Sequence, residues 1–215
     1  MGRRPTGVWQ MTLFGLFQTS PLILLLVGVA AYLLGSVSFG LIISKLFGLA
    51  DPRSIGSGNI GATNVLRSGS KPAALLTVLL DGAKGGVAVL IARALFADDA
   101  AQVAGLCAFL GHLYPVWLKF KGGKGVATFF GTLLALAWPL GLIALAIWLV
   151  TFLAFRYSSL AALVAACILP PFAMVTGYLS ISMVVLIMCG LVIYKHRENM
   201  ERLKAGTESK FTRKK

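Results

Sequence analysis

Apolar residues fill seven stretches of the chain, at about 21–47, 72–97, 100–117, 126–138, 140–155, 158–176 and 178–194, and most charged residues fall in the connections between them. Several stretches reach the roughly 17–25 residues that a helix needs to cross a bilayer. Inside lipid every backbone N–H and C=O must be paired within the protein, so blocks of this length span as helices. The pattern predicts an all-α, polytopic transmembrane helical bundle. The 126–138 stretch is short, and Trp138-Pro139 marks a turn or kink within 126–155.

Basic residues predict which ends face the cytoplasm. Loop 48–71 carries Arg53, Arg67 and Lys71 against Asp51. Loop 118–125 carries Lys119, Lys121 and Lys124 with no acid, and 195–215 holds eight basic residues against three Glu. The turn at 97–99 holds only acids, Asp98 and Asp99. Placing the basic regions inside and the Asp pair outside requires an even number of crossings between 125 and 195. Splitting at Pro139 satisfies this, and predicts about seven spans, amino terminus out and carboxyl terminus in. Three regions follow: an interfacial segment 1–20, with Arg3 and Arg4 ahead of Trp9, Phe14 and Phe17; a transmembrane catalytic domain 21–197; and a basic cytoplasmic tail 198–215.

Composition supports this class. The chain is 58% hydrophobic and 13% charged, against about 25% charged in soluble domains. Its net charge of +13 would suggest nucleic acid in a soluble protein. Here the basic residues crowd loops and tail, where they meet anionic headgroups or anionic substrates, and no nucleic-acid partner is expected. Cys107, Cys167 and Cys189 lie in apolar segments without C-x-x-C spacing, so neither a disulfide nor a zinc site is expected.

Two loops carry phosphate-binding chemistry. In Ser54-Ile-Gly-Ser-Gly-Asn-Ile-Gly-Ala-Thr-Asn-Val-Leu-Arg67 the glycines match G-x-G-x-x-G, but no strand precedes them and the dinucleotide context is missing. Glycines still let backbone N–H groups converge on an anion. Ser57, Asn59, Thr63 and Asn64 add neutral donors, and Arg67 can grip a phosphate through two N–H groups. The alternative is a flexible interhelical loop. In Phe120-Lys-Gly-Gly-Lys-Gly-Val-Ala-Thr128, Lys121, Gly122, Gly123 and Lys124 sit just before an apolar helix. Glycine spacing rules out a Walker A loop; the alternative is a positive-inside anchor.

Other polar residues are more ambiguous. Asp81 and Lys84 interrupt the second apolar block, three apart on one helical face. They form either a structural ion pair beside a Gly82/Gly86 packing seam or a ligand-facing pair in which Lys84 touches the ligand. His112, alone on an apolar stretch, reads as a packing residue in preference to a proton carrier. Ser158 or Ser159 caps a helix after Arg156. His196, Asn199 and Arg202 share one face of a helix leaving the membrane. His196 and Glu201 only loosely fit the H-x4-D pattern of common glycerolipid acyltransferases, the acid is wrong, and that equivalence is rejected.

Together these residues resemble the bacterial acyl-phosphate-dependent glycerol-3-phosphate acyltransferases. The matching pieces are Gly35-Ser-Val-Ser-Phe-Gly40, Gly56-Ser-Gly-Asn-Ile-Gly-Ala-Thr-Asn-Val65, Asp81-x-x-Lys-Gly85, Gly111-His-x-x-Pro115, Phe120–Thr128, Arg156-Tyr-x-Ser159 and His196-Arg-Glu-Asn199. The resemblance implies transfer of an acyl chain from acyl phosphate to the 1-hydroxyl of sn-glycerol 3-phosphate, giving 1-acylglycerol 3-phosphate and phosphate, the first step of phospholipid synthesis. It implies no cofactor, metal, acyl-CoA or acyl carrier protein, and a multi-pass protein of the bacterial inner membrane, among its lipids, with a cytoplasmic active site. Carried onto this chain, it assigns His196, Asn199 and Lys124 to catalysis. Phosphate binding falls to Ser36, Ser57, Gly58, Asn59, Thr63, Asn64, Arg67, Lys84, Lys121, Gly122, Gly123 and Ser159. No side-chain nucleophile stands out, so direct transfer is expected, with a substrate phosphate as possible base. Two competing functions are a transporter of organic phosphates and a scaffold binding lipid headgroups. Polar motifs clustered on one face disfavour the first, and the second leaves the glycine loops without a role.

Overall fold

A computed structural model describes residues 18–211. The interfacial reading of 1–20 falls almost wholly outside the described residues, as does the end of the tail. Ten α-helices are present among the described residues: α1 Pro21–Gly35, α2 Phe39–Leu46, α3 Ala62–Arg67, α4 Lys71–Leu95, α5 Asp98–Leu113, α6 Val126–Leu136, α7 Trp138–Phe155, α8 Ser158–Val175, α9 Leu179–Lys195 and α10 Arg197–Lys204.

Local chemistry sets the ends. Ser20 and Ser70 accept from the backbone N–H groups of Ile23 and Ala73, and each precedes a proline in the first turn. Asp98 and Asp99 complement the positive start of α5. Asp99 also accepts from the backbone N–H and hydroxyl of Thr19, both within 2.8 Å. The split at Pro139 is present: Ala137 is extended, and α7 starts with the proline in its first turn.

Five runs are long and apolar enough to cross a membrane: Pro21–Leu46, Lys71–Leu95, Asp98–Leu118, Trp138–Phe155 and Ser158–Val175. A sixth joins α9 to α10 through a 54° bend. Full-length candidates thus number five or six, not the seven expected; the short α6 takes the remaining place, because loop 119–125 and α6 together carry the chain from the end of α5 back to the far end of α4. With 11 residues, α6 is about 16 Å long, roughly half of a 30 Å hydrocarbon core. It is short because it starts deep, beside the middle of α4: the Thr128 hydroxyl donates to the Asp81 carbonyl at 2.8 Å. Its end reaches the far end of α4, where Arg93 donates to the carbonyls of Ala135 and Leu136 at 2.6 and 3.1 Å. The loop 119–125 therefore enters the bundle alongside α4.

Close helix contact depends on missing side chains. A Cβ on Gly35 would overlap the Ala108 backbone of α5, and one on Gly131 would overlap the Gly82 backbone of α4. The anticipated Gly82/Gly86 seam is thus the α4–α6 contact. The main core, with Phe109, Leu113, Phe129, Leu133, Leu140, Leu169 and Met188, joins α5 through α9. Many large apolar side chains elsewhere face outward, Leu25, Leu79, Val150 and Val175 among them, as expected of a lipid-facing surface.

Candidate active site

Both glycine loops, the start of α8 and the α9–α10 junction converge on one cavity of about 370 Å³. Its polar end is lined by Ser57, Asn59, Thr63 and Arg67 from the first loop, Lys124 from the second, Ser158 and Ser159 from α8, and His196, Asn199 and Arg202 from the carboxyl-terminal segment. Its apolar side is formed by Val78, Val126, Ala127, Phe130, Leu145 and Trp148.

Asn64 organises the first loop. It is buried, and its amide N–H groups reach the carbonyls of Pro52, Ile55 and Asn59 at 3.2, 2.9 and 2.9 Å, while its oxygen accepts from Arg67 Nη1 at 2.8 Å. Gly56, at φ 53°, lies flat against the Arg67 side chain. The second loop is pinned to the end of α5: Gly122 N–H donates to the Leu113 carbonyl at 3.2 Å and Gly123 N–H to the His112 carbonyl at 3.1 Å. Lys195 Nζ donates to the same Leu113 carbonyl at 3.0 Å.

Beyond the second loop a polar chain crosses the cavity wall. Lys124 Nζ donates to Asn199 Oδ1. Asn199 Nδ2 donates to Glu208 Oε1 at 2.6 Å, the Ser159 hydroxyl donates to the same oxygen at 2.6 Å, and Arg202 Nε donates to Glu208 Oε2 at 2.7 Å. Burial raises the Glu208 carboxyl, but these hydrogen bonds outweigh it and hold the group below the usual carboxylate range. Lys124 moves to about 8, chiefly through burial and next through the Arg202 charge. The His196 ring is buried, with Nδ1 2.8 Å from the Val192 carbonyl. A carbonyl only accepts, so Nδ1 carries the hydrogen and Nε2 keeps the lone pair of the neutral ring.

The remaining expected residues sit behind or beside the cavity. Ser36 is buried and donates to the Tyr32 carbonyl at 2.8 Å. Lys84 is enclosed by Asp81 Oδ1 at 2.8 Å and the Val37 carbonyl at 2.7 Å, and lines no part of the cavity, so the pair takes the structural arrangement. Gly58, Lys121, Gly122, Gly123 and Asn64 likewise stand outside the lining, Lys121 being exposed. The charged and imidazole side chains that line the cavity outside the expected set are Asp81, His112, Arg202 and Glu208. His112 Nδ1 points towards Asp81 Oδ1 at 3.6 Å, and no sequence spacing links the two.

The bundle and its cavity define an integral membrane protein with an anion-binding end joined to an apolar arm. The sequence-family profile for glycerol-3-phosphate acyltransferase matches residues 25–206. The chain is 59% identical to the glycerol-3-phosphate acyltransferase of Dinoroseobacter shibae, over 92% of this chain and 97% of that one. It is 58% identical to that of Jannaschia sp., over 91% and 97%. Its fold matches the crystal structure of PlsY, an integral membrane glycerol 3-phosphate acyltransferase, in the glycerol 3-phosphate form, with TM-score 0.83 and 43% identity over 88% of this chain and 96% of that one. The lysophosphatidic acid form of that enzyme matches at TM-score 0.81 and 42% identity, over 88% and 95%. The chain belongs to the glycerol-3-phosphate acyltransferase family of integral membrane enzymes.

Arg67→Lys is expected to lower kcat/KM at least about tenfold, because an ammonium cannot reproduce the planar fork and a charge-assisted hydrogen bond is worth about 1.5–3 kcal/mol. Gly56→Ala should give the same defect, since the new methyl strikes the Arg67 side chain on a backbone that disfavours L-residues. Steady-state kinetics on protein matched for membrane yield decide it. Normal activity of Arg67→Lys would leave Arg67 as a charge anchor.

Proposed function

We propose that the cavity transfers an acyl chain from acyl phosphate directly to the 1-hydroxyl of sn-glycerol 3-phosphate, giving 1-acylglycerol 3-phosphate and inorganic phosphate. The observation that carries this is one cavity joining a cationic end, with Arg67, Lys124 and Arg202, to an apolar arm. Both substrates have a phosphate, and one also has a chain. The starts of α6 and α8 border the polar end, and helix starts favour anions.

An acyl phosphate is already activated, so the protein's work is positioning and charge stabilisation. The glycerol oxygen forms a bond to the acyl carbon, the bond from that carbon to the phosphate oxygen breaks, and the hydroxyl proton ends on a substrate phosphate. His196 and Asn199 orient the glycerol phosphate and its hydroxyl, and Lys124 stabilises the phosphate charge. Purified protein in detergent should release inorganic phosphate only when both acyl phosphate and glycerol 3-phosphate are present. Absence of release, or a trapped acyl-protein during turnover, would overturn this reading. A transporter shows no chemistry under the same conditions.

The cavity is assigned to the cytoplasmic side of a bacterial inner membrane, with the amino terminus out and the carboxyl terminus in. Support comes from charge: Arg67, Lys124 and His196 line one cavity, with Arg156 two residues before its Ser158 wall, whereas Asp98 meets Arg93 at the far end of α4. On a background lacking Cys107, Cys167 and Cys189, a cysteine at position 124 should resist external labelling and one at position 98 should accept it. The reverse would invert the topology.

Activity should also depend on the Lys124 charge. The ammonium is present below about 8 and lost above it. If it holds a phosphate, kcat/KM falls as pH rises through that value. Lys124→Arg should carry the plateau to higher pH, since a guanidinium stays protonated. A profile of the native enzyme that stays flat across pH 8 would remove Lys124 from charge stabilisation.

A further inference from the structure

We propose that Arg202 is a phosphate-binding residue, donating from its terminal nitrogens to a phosphate monoester of one of the two substrates. This rests on the function proposed above and extends it to a residue outside the matching pieces of sequence. Arg202 lines the cavity on the α10 face that carries Asn199, three residues before it, and that continues to His196 at the start of the helix, six residues before it. Its Nε donates to Glu208 Oε2 at 2.7 Å, which fixes the plane of the guanidinium. Its Nη2 is shielded from solvent, yet has no hydrogen-bond partner among the described residues. A buried guanidinium N–H without an acceptor is costly, so the arrangement calls for an acceptor that arrives with the ligand. A phosphate suits it, because its oxygens match the guanidinium fork.

Charge supports the same reading. Two phosphate-bearing substrates bring several negative charges into one cavity, and Arg67 and Lys124 alone leave them under-compensated. Glu208 engages only Nε of Arg202, through Oε2, while its other oxygen is taken by Ser159 and Asn199. Glu208 thus holds the back of the guanidinium and leaves its terminal edge for an anion.

The test is the split between KM and kcat. Arg202→Gln should raise KM for one substrate at least about tenfold while kcat changes by less than about threefold. The substrate whose KM moves, glycerol 3-phosphate or acyl phosphate, identifies the phosphate that Arg202 holds. Arg202→Lys should recover part of the loss by restoring the charge. Inorganic phosphate should raise the melting temperature of the native protein in detergent and do so less for Arg202→Gln, a readout that needs no turnover. Unchanged KM values for both substrates would overturn the proposal, as would equal stabilisation of native protein and variant by phosphate. Failure of the native enzyme to release phosphate from its substrates would strike the function instead, and the melting shift would still report on this residue.

Discussion

Gly122→Ala is expected to cut kcat/KM by at least about a hundredfold while leaving a folded, membrane-inserted protein. A methyl at this position would fall on the His112 carbonyl oxygen and the Pro115 ring. The carbonyl is backbone at the end of α5, a rigid helix in the main core, and the proline ring follows two residues after that helix ends, so no rotamer change relieves the overlap. The loop must lift instead, breaking the two hydrogen bonds from Gly122 and Gly123 to Leu113 and His112. Lys124 moves with it, away from Asn199. Displacements near 1 Å in a positioning element can cost about a hundredfold in rate, and here the displaced group is a cation assigned to the phosphate. Gly123→Ala differs in one respect. Its methyl meets the His112 ring nitrogen Nε2, a side chain, instead of backbone. Adding His112→Ala should therefore relieve part of the Gly123→Ala defect and none of the Gly122→Ala defect. Detergent size-exclusion for folded yield, followed by kinetics on the folded fraction, separates the two. Near-native kinetics for Gly122→Ala would mean that the loop's seat on α5 does not position Lys124.

The helices were legible because lipid imposes a simple rule on apolar blocks, and Pro139 marked the α6–α7 boundary where it occurs. The number of full spans was not legible. Hydropathy reports composition along the chain, whereas the short α6 results from where its loop enters the bundle, beside Asp81 in mid-helix. The glycine loops announced themselves because Gly and polar residues contrast with apolar neighbours. The apolar arm did not: Phe130, Leu145 and Trp148 lie in helices that are apolar all round, so nothing distinguishes a cavity wall from a lipid face. Asp81 and Lys84 show a limit of spacing. Positions three apart place both on one helical face, but which neighbour that face meets depends on α1 and α5. Glu208 was out of reach for another reason. It joins the site only because the chain turns back after α10, with Gly206 at φ 71°, and Phe211 N–H then donates to the Arg156 carbonyl at 2.8 Å.

His196→Ala should lower kcat by about 10²–10⁴-fold, the range for removing a group that handles a proton or orients the hydroxyl that loses it. The ring is 3% exposed, and its Nδ1–H is committed to the Val192 carbonyl one helical turn back. That bond fixes both tautomer and ring plane, leaving Nε2 as the acceptor. A neutral Nε2 can accept the hydrogen bond of the glycerol hydroxyl, aligning the oxygen lone pair with the acyl carbon. Asn199, three residues on, is held between Lys124 and Glu208, so the hydroxyl and the phosphate cation are set by adjacent turns of one segment. Loss of the ring therefore removes an interaction used in the transition state, and the effect belongs in kcat more than in the KM for either substrate. His196→Gln keeps a hydrogen-bonding side chain without the imidazole lone pair at that place, and should recover little. A His196→Ala enzyme with kcat within about threefold of native would show that the ring only packs the α9–α10 bend. The burden of orienting the hydroxyl would then pass to Asn199.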